Sequence, residues 1–133
     1  MHRLKMSTNL FLSLLIISNV ALASDYKCTI ESNRLLEKTG KLSNDSFSLK
    51  GKEFVVNRKT GQTTGALSNH NTFGKPEVLD YGSKEQAFQT ITIYHPIVSV
   101  DFLYVAEYEE GKIKPFLYVD AVLGVISGTC IEY

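Results

Sequence analysis

The chain of 133 residues contains no tryptophan, only two cysteines and no excess of either charge, with 14 basic residues against 14 acidic ones. Two cysteines are too few for a disulfide-dense miniprotein, which is held together by several bridges. The charge balance excludes a strongly basic nucleic-acid binder. No apolar run reaches the ~20 residues that a membrane-spanning helix needs. The missing tryptophan excludes little. What is there is ordinary: charged residues make up 21% and hydrophobic residues 44%, which rules out a disordered tail or a collagen-like repeat. The length fits one domain with room for a short targeting segment.

The first residues read as that segment. Arg3 and Lys5 form a small positive region, Leu10 to Ile17 is almost unbroken apolar sequence, and Ala21 and Ala23 supply small residues where a signal peptidase reads. A secretory signal peptide over 1–23 is expected, cut after Ala23. Residues 24–133 then form a single β domain of 110 residues with a net charge of −2, because both basic residues of the leader are lost. No polybasic run remains, so nucleic acid and anionic membrane surfaces are poor partners, and no stable membrane insertion is expected after cleavage.

Cys28 lies near the start of this domain and Cys130 near its end. In an exported chain an even cysteine count reads as a disulfide, and two cysteines allow one connectivity. A Cys28–Cys130 bridge would tie the first strand to the last. Closing a loop of about 100 residues contributes ~4.7 kcal/mol in the chain-entropy description. A redox pair or metal site has little support, since there is no C-x-x-C and no histidine near either cysteine.

Three segments share one turn chemistry: Leu36 to Leu42, Asn57 to Thr63 and Tyr108 to Ile113 each place Gly after two polar residues. Glycine adopts the left-handed conformation cheaply, and a type I turn closed by a glycine bulge predicts three hairpins with three-residue loops. In the first, Glu37 would face Lys41 and Leu36 would face Leu42. In the third, Tyr104 would face Phe116 and Phe102 would face Tyr118; a two- or four-residue loop would instead pair Tyr104 with Leu117.

The segment Val98 to Tyr108 alternates, with Val98, Val100, Phe102, Tyr104, Ala106 and Tyr108 on the face read as the core side. Leu103 and Val105 make the opposite face apolar as well, so cover on both sides is expected. Phe54-Val55-Val56, Ala87 to Tyr94, Phe116 to Val119 and Val122 to Ile131 continue the β pattern. Leu67 to Pro76 has the least pattern and reads as a long surface loop. Ser83-Lys84-Glu85-Gln86 matches a capping box and leaves room for one short helix. The fold class is all-β: a small antiparallel barrel, or a sandwich, of eight to ten strands.

The elements Glu53 to Gly61, Gly82 to Phe88, Lys114 to Val119 and Ser127-Gly128-Thr129-Cys130 resemble a family of small exported bacterial proteins without an assigned activity. That resemblance implies a periplasmic or secreted protein and carries no catalytic residue. The start Tyr26-Lys27-Cys28 and the terminal bridge are also similar in architecture to the membrane-bound C-type lysozyme inhibitors, small eight-stranded barrels. Their inhibitory Ser-Gly-x-x-Tyr segment is missing, because Ser127-Gly128 continues into Thr129-Cys130-Ile131.

Catalytic signatures are sparse. His70 and His95 have no partner at ligand spacing, and a site joining them would need two loops to meet. Asp101 and Asp120 fall on adjacent expected strands, where two carboxyls could share a proton or a cation. No G-x-S-x-G and no phosphate-binding loop is present. No catalytic residue, cofactor or metal is therefore expected. Tyr94, Tyr104, Tyr108 and Tyr118 are the candidate interaction residues, because a tyrosine on a strand offers apolar area with a polar tip. The favoured reading is a non-catalytic exported protein that binds another periplasmic or extracellular protein, as an inhibitor or immunity-type factor. A barrel that holds a small ligand is the alternative, and a hydrolase comes third.

Overall fold

A computed structural model describes residues 24–133; the expected signal peptide lies outside the described residues. Among the described residues, eight strands follow one another with no helix: β1 (Tyr26–Arg34), β2 (Glu53–Val56), β3 (Thr63–Gly65), β4 (Pro76–Tyr81), β5 (Phe88–Tyr94), β6 (Ser99–Val105), β7 (Ile113–Asp120) and β8 (Gly124–Glu132). They form one antiparallel sheet in the order β3-β2-β1-β8-β7-β6-β5-β4, curled into a half-barrel. Every consecutive pair except β3 and β4 is hydrogen-bonded, and β1 joins β8. First and last strands are thus neighbours in mid-sheet, and the sheet stays unpaired between β3 and β4.

Alternation along each strand selects the inner face. Tyr26, Cys28 and Ile30 of β1 point inward, as do Phe116 and Tyr118 of β7 and Ile126 and Cys130 of β8. Phe54 of β2 meets Phe116 edge-on at 5.1 Å, and Tyr26 meets Phe88 edge-on at 5.6 Å. These rings fill the concave side, so the interior is packed. Cys28 and Cys130 stand directly opposite each other on β1 and β8 and are disulfide-bonded across 102 residues of chain. Such a bond is consistent with an oxidising compartment.

Side chains close the gap that the ladder leaves. Asn69 is buried there; its Oδ1 accepts from the Thr63 amide at 2.8 Å and its Nδ2 donates to the Gly61 carbonyl at 2.8 Å. Its own carbonyl accepts from Thr92 Oγ1 of β5 at 2.8 Å. Gly61, at φ +78°, lets the β2–β3 turn approach β5: a Cβ there would meet Thr90 Cγ2 at 2.8 Å. The segment expected as a surface loop therefore carries two buried residues, Leu67 and Asn69, that plug the seam. β4 was not foreseen as a strand, since Pro76 opens it and a bulge interrupts it after Val78.

The hairpin and helix expectations fare unevenly. The Leu36–Leu42 bridge and the Glu37–Lys41 bond form as expected. The second hairpin has a four-residue loop, with the Asn57 amide bonded to Gln62. In β6 the buried residues are Asp101, Leu103 and Val105, so the face read as outer is the inner one. The outer face carries Phe102 and Tyr104. Opposite residues of an antiparallel pair share a face, so burying Val105 with Phe116 dictates the register. Tyr104 accordingly faces Leu117 and Phe102 faces Val119, the register of an even loop. At Ser83 the capping contact forms, its Oγ accepting from the Glu85 and Gln86 amides at 3.1 and 3.2 Å, but the chain turns back and no helix follows.

Alternating strand direction sorts the connections between two ends. The arginine end holds 57–62, 82–87 and 106–112, with Arg58 at its centre. The aspartate end holds 35–52, 66–75, 95–98 and 121–123, with Asp101 and Asp120 close by.

Candidate functional site at the aspartate end

Asp101 on β6 points inward and is 5% exposed. Burying a carboxyl is costly unless its oxygens find donors. Tyr94 of β5 and Tyr118 of β7 both donate to Asp101 Oδ2, at 2.8 and 3.0 Å. The Asp120 carboxyl, from the end of β7, lies within hydrogen-bonding reach of Asp101. Burial, together with Asp120, pushes the Asp101 pKa up to about 6, against the lowering effect of the two tyrosine hydroxyls. Burial raises Asp120 too. Its bond to Asp101 and the amides of Leu123 and Val122, which donate to Oδ1 at 2.7 Å, outweigh that and hold it below the usual carboxylate range. Two such groups titrate as a pair: one proton is held mainly on Asp101 while Asp120 is ionised. Burial and Asp101 raise the phenols of Tyr94 and Tyr118, so both stay protonated donors.

A cleft of about 470 Å³ opens above this pair, and Asp101, Asp120, Tyr94, Ser99 and His95 line it. Phe73, Ile97 and Val122 also line it, and each is strongly exposed. The His95 amide donates to the Phe73 carbonyl at 3.1 Å, so the loop before β4 and the β5–β6 turn do meet. His95 follows β5 in a turn with a cis bond to Pro96. Among the described residues no group of three His, Cys, Asp or Glu is placed to hold a metal.

No protein-family model, curated protein or solved structure matches this chain. The site is therefore read from its own geometry.

The four candidate tyrosines divide between two places. Tyr94 and Tyr118 belong to the aspartate cluster, and Tyr118 is buried. Tyr104 and Tyr108 lie on the outer surface with their hydroxyls 2.9 Å apart. They do not form one face. Sequence reasoning paired Asp101 with Asp120 but missed both tyrosines as their partners. The signal was available in the spacing: Tyr118 and Asp120 are two apart on one strand, and so share a face. It also missed Phe73, Ile97 and Val122, because single apolar residues in turns carry no periodicity.

Proposed function

We propose that this is a non-catalytic exported protein, periplasmic or secreted, that binds another protein through the cleft at its aspartate end. One observation carries the reading. Phe73, Ile97, Val98 and Val122 sit on three separate connections of that end, and each is more than 60% exposed. Turn residues are usually polar, and apolar side chains gathered around a cleft mark an interaction site. Their pattern is that of an interface: large apolar anchors outside, a satisfied polar floor within. Among the described residues, side chains fill the concave face of the sheet, which supports a surface interaction over a ligand held inside. The disulfide suits the oxidising compartment that this reading requires.

The test is capture from a periplasmic extract with the oxidised protein and two variants as baits. A protein retained by the native bait should bind the Ile97→Ser/Val122→Ser variant at least roughly tenfold more weakly, as for lost hot-spot residues. A Tyr108→Ser bait, altered at the arginine end, should retain it unchanged. Equal retention by all three baits would remove the cleft as the binding site.

A further inference from the structure

The connection from β1 to β2 differs from every other. It runs from residue 35 to 52, far longer than the hairpin turns. Hydrogen bonds within it and to β1 brace it. The Leu36–Leu42 bridge closes a small hairpin, the Ser43 amide donates to the Leu35 carbonyl at 2.7 Å, and the Ser46 amide donates to the Asn33 carbonyl at 2.8 Å. Arg34 pairs with Asp45 at 3.4 Å, and Leu49 packs on the core. Yet this braced segment exposes Leu36 at 74%, Phe47 at 78% and Leu42 at 47%.

The charges beside them have one dominant sign. Lys38, Lys41, Lys50 and Lys52 are all exposed, against Glu37 and Asp45 alone, and Asp45 is already paired with Arg34. The segment therefore carries +2 while the rest of residues 24–133 carries −4. The net charge of −2 over residues 24–133 hides this separation. Lys50 Nζ lies 5.8 Å from the Phe47 ring centroid, which places a cation and an aromatic side by side at the surface. Bulky apolar side chains interleaved with lysines fit the boundary of a bilayer, where the rings and aliphatic groups enter the acyl region and the ammonium groups meet anionic headgroups.

We propose that the β1–β2 connection docks this protein reversibly onto an anionic lipid surface. Charge complementarity selects that occupant: the segment is basic while the remainder of the domain is acidic, so a negative plane attracts this region and repels the rest. Because its own hydrogen bonds hold the connection in shape, little ordering cost is incurred on binding. The connection emerges at the same end as the aspartate cleft, so docking would bring that cleft to the membrane side. The proposal uses different residues from the protein-binding reading and stands without it.

Sedimentation with vesicles tests it, using the oxidised protein after export. Vesicles of phosphatidylethanolamine and phosphatidylglycerol should retain the protein, phosphatidylcholine vesicles should not, and salt at about 0.5 M should release it. Leu36→Ser/Phe47→Ser and, independently, Lys38→Glu/Lys41→Glu should each weaken retention by about tenfold or more. All four positions are exposed, and far-ultraviolet circular dichroism with an intact disulfide would verify that the variants fold. Ile113→Ser, at the arginine end, should bind as the native protein does. The proposal is overturned by no retention on either vesicle, by equal retention on both, or by variants that bind unchanged. Retention lost equally in Ile113→Ser would overturn it too, as would lysines that govern capture of a protein but not of vesicles.

Discussion

At the arginine end Arg58 meets two carboxylates, whereas at the aspartate end two carboxyls meet each other. Arg58 is 6% exposed, with its guanidinium over the Tyr26 ring at 4.5 Å; Nη1 lies 3.4 Å from Glu132 and Nη2 lies 3.9 Å from Glu107. Nη2 also donates to the Tyr81 carbonyl at 3.3 Å, and Tyr26 donates its hydroxyl to Glu107. The guanidinium thus spans from β2–β3 to β4, across the side of the sheet where no ladder forms. Its turns are polar: of the three connections there, only 106–112 exposes a large apolar residue, Tyr108. The four connections of the aspartate end expose nine. One end spends its buried charge on closure, with opposite signs matched and solvent-facing turns. The other holds like groups that compete for one proton, beneath an apolar rim. A fold that needed both ends only for stability would have no reason to differ so much between them.

Breaking the matched end should have the larger consequence. Arg58→Ala removes the guanidinium from Tyr26 and Phe88 and leaves Glu107, part-buried, facing Tyr26 without its cation. Removing one partner of a buried ion pair typically costs about 3–5 kcal/mol, and the partial exposure of Glu132 places this case near the lower figure. Urea denaturation of the oxidised protein would measure it. Arg58→Met combined with Glu107→Gln should recover part of the loss, because no charge is then stranded. A loss within about 0.5 kcal/mol for Arg58→Ala would show that the seam does not depend on this contact.

The aspartate end should respond in the opposite direction. The Asp101 pKa is raised from 3.8 to about 6 on folding, so between those values the native state holds a proton that the unfolded chain has released. Stability from this group therefore falls as pH rises from about 4 to about 6, and the loss is complete above that range. A shift of about two units corresponds to roughly 2–3 kcal/mol. The lowered pKa of Asp120 acts with the opposite sign, contributing stability that is lost as pH falls. Asp101→Asn keeps an oxygen for Tyr94 and Tyr118 and an amide to donate to Asp120, but has no proton to lose. It should raise stability at pH 7 by about 1–2 kcal/mol and flatten the decline between pH 4 and 6 in thermal melts. An unchanged pH profile would mean that the pair does not share its proton as described.

Much of this contrast could be read in the sequence, but unevenly. The disulfide, the all-β class, the Leu36–Leu42 hairpin and the nearness of Asp101 to Asp120 all follow from local signals: cysteine parity, alternation, turn glycines and strand spacing. The inner face of β6 did not follow. Hydrophobicity favours Val100, Phe102 and Tyr104 as core, yet Asp101 is inside because two tyrosines from other strands satisfy it. Arg58 was hidden for the same reason: it sits in a polar turn, and its partners arrive from Tyr26, Tyr81, Glu107 and Glu132, all remote in sequence. Buried polar groups are decided by long-range partners, and a periodic pattern reports only their cost.

The finest distinction concerns which tyrosines matter. Tyr118 is buried and donates to Asp101, whereas Tyr104 faces outward with only Tyr108 as its partner. Tyr118→Phe removes one of the two phenolic donors that favour ionised Asp101, so the titration of that carboxyl should move to higher pH, by less than the whole shift because Tyr94 remains. Stability at pH 7 should fall by about 1 kcal/mol, the usual cost of one lost hydrogen bond to a buried group. Tyr104→Phe should change stability by less than about 0.5 kcal/mol and leave the carboxyl titration in place. Carbon-13 resonances of the aspartate carboxyls, followed from pH 4 to 8, would report both variants. If Tyr104→Phe moved the Asp101 titration as far as Tyr118→Phe does, the inner and outer tyrosines would be coupled through the sheet, and the division between them drawn from β6 register would fail.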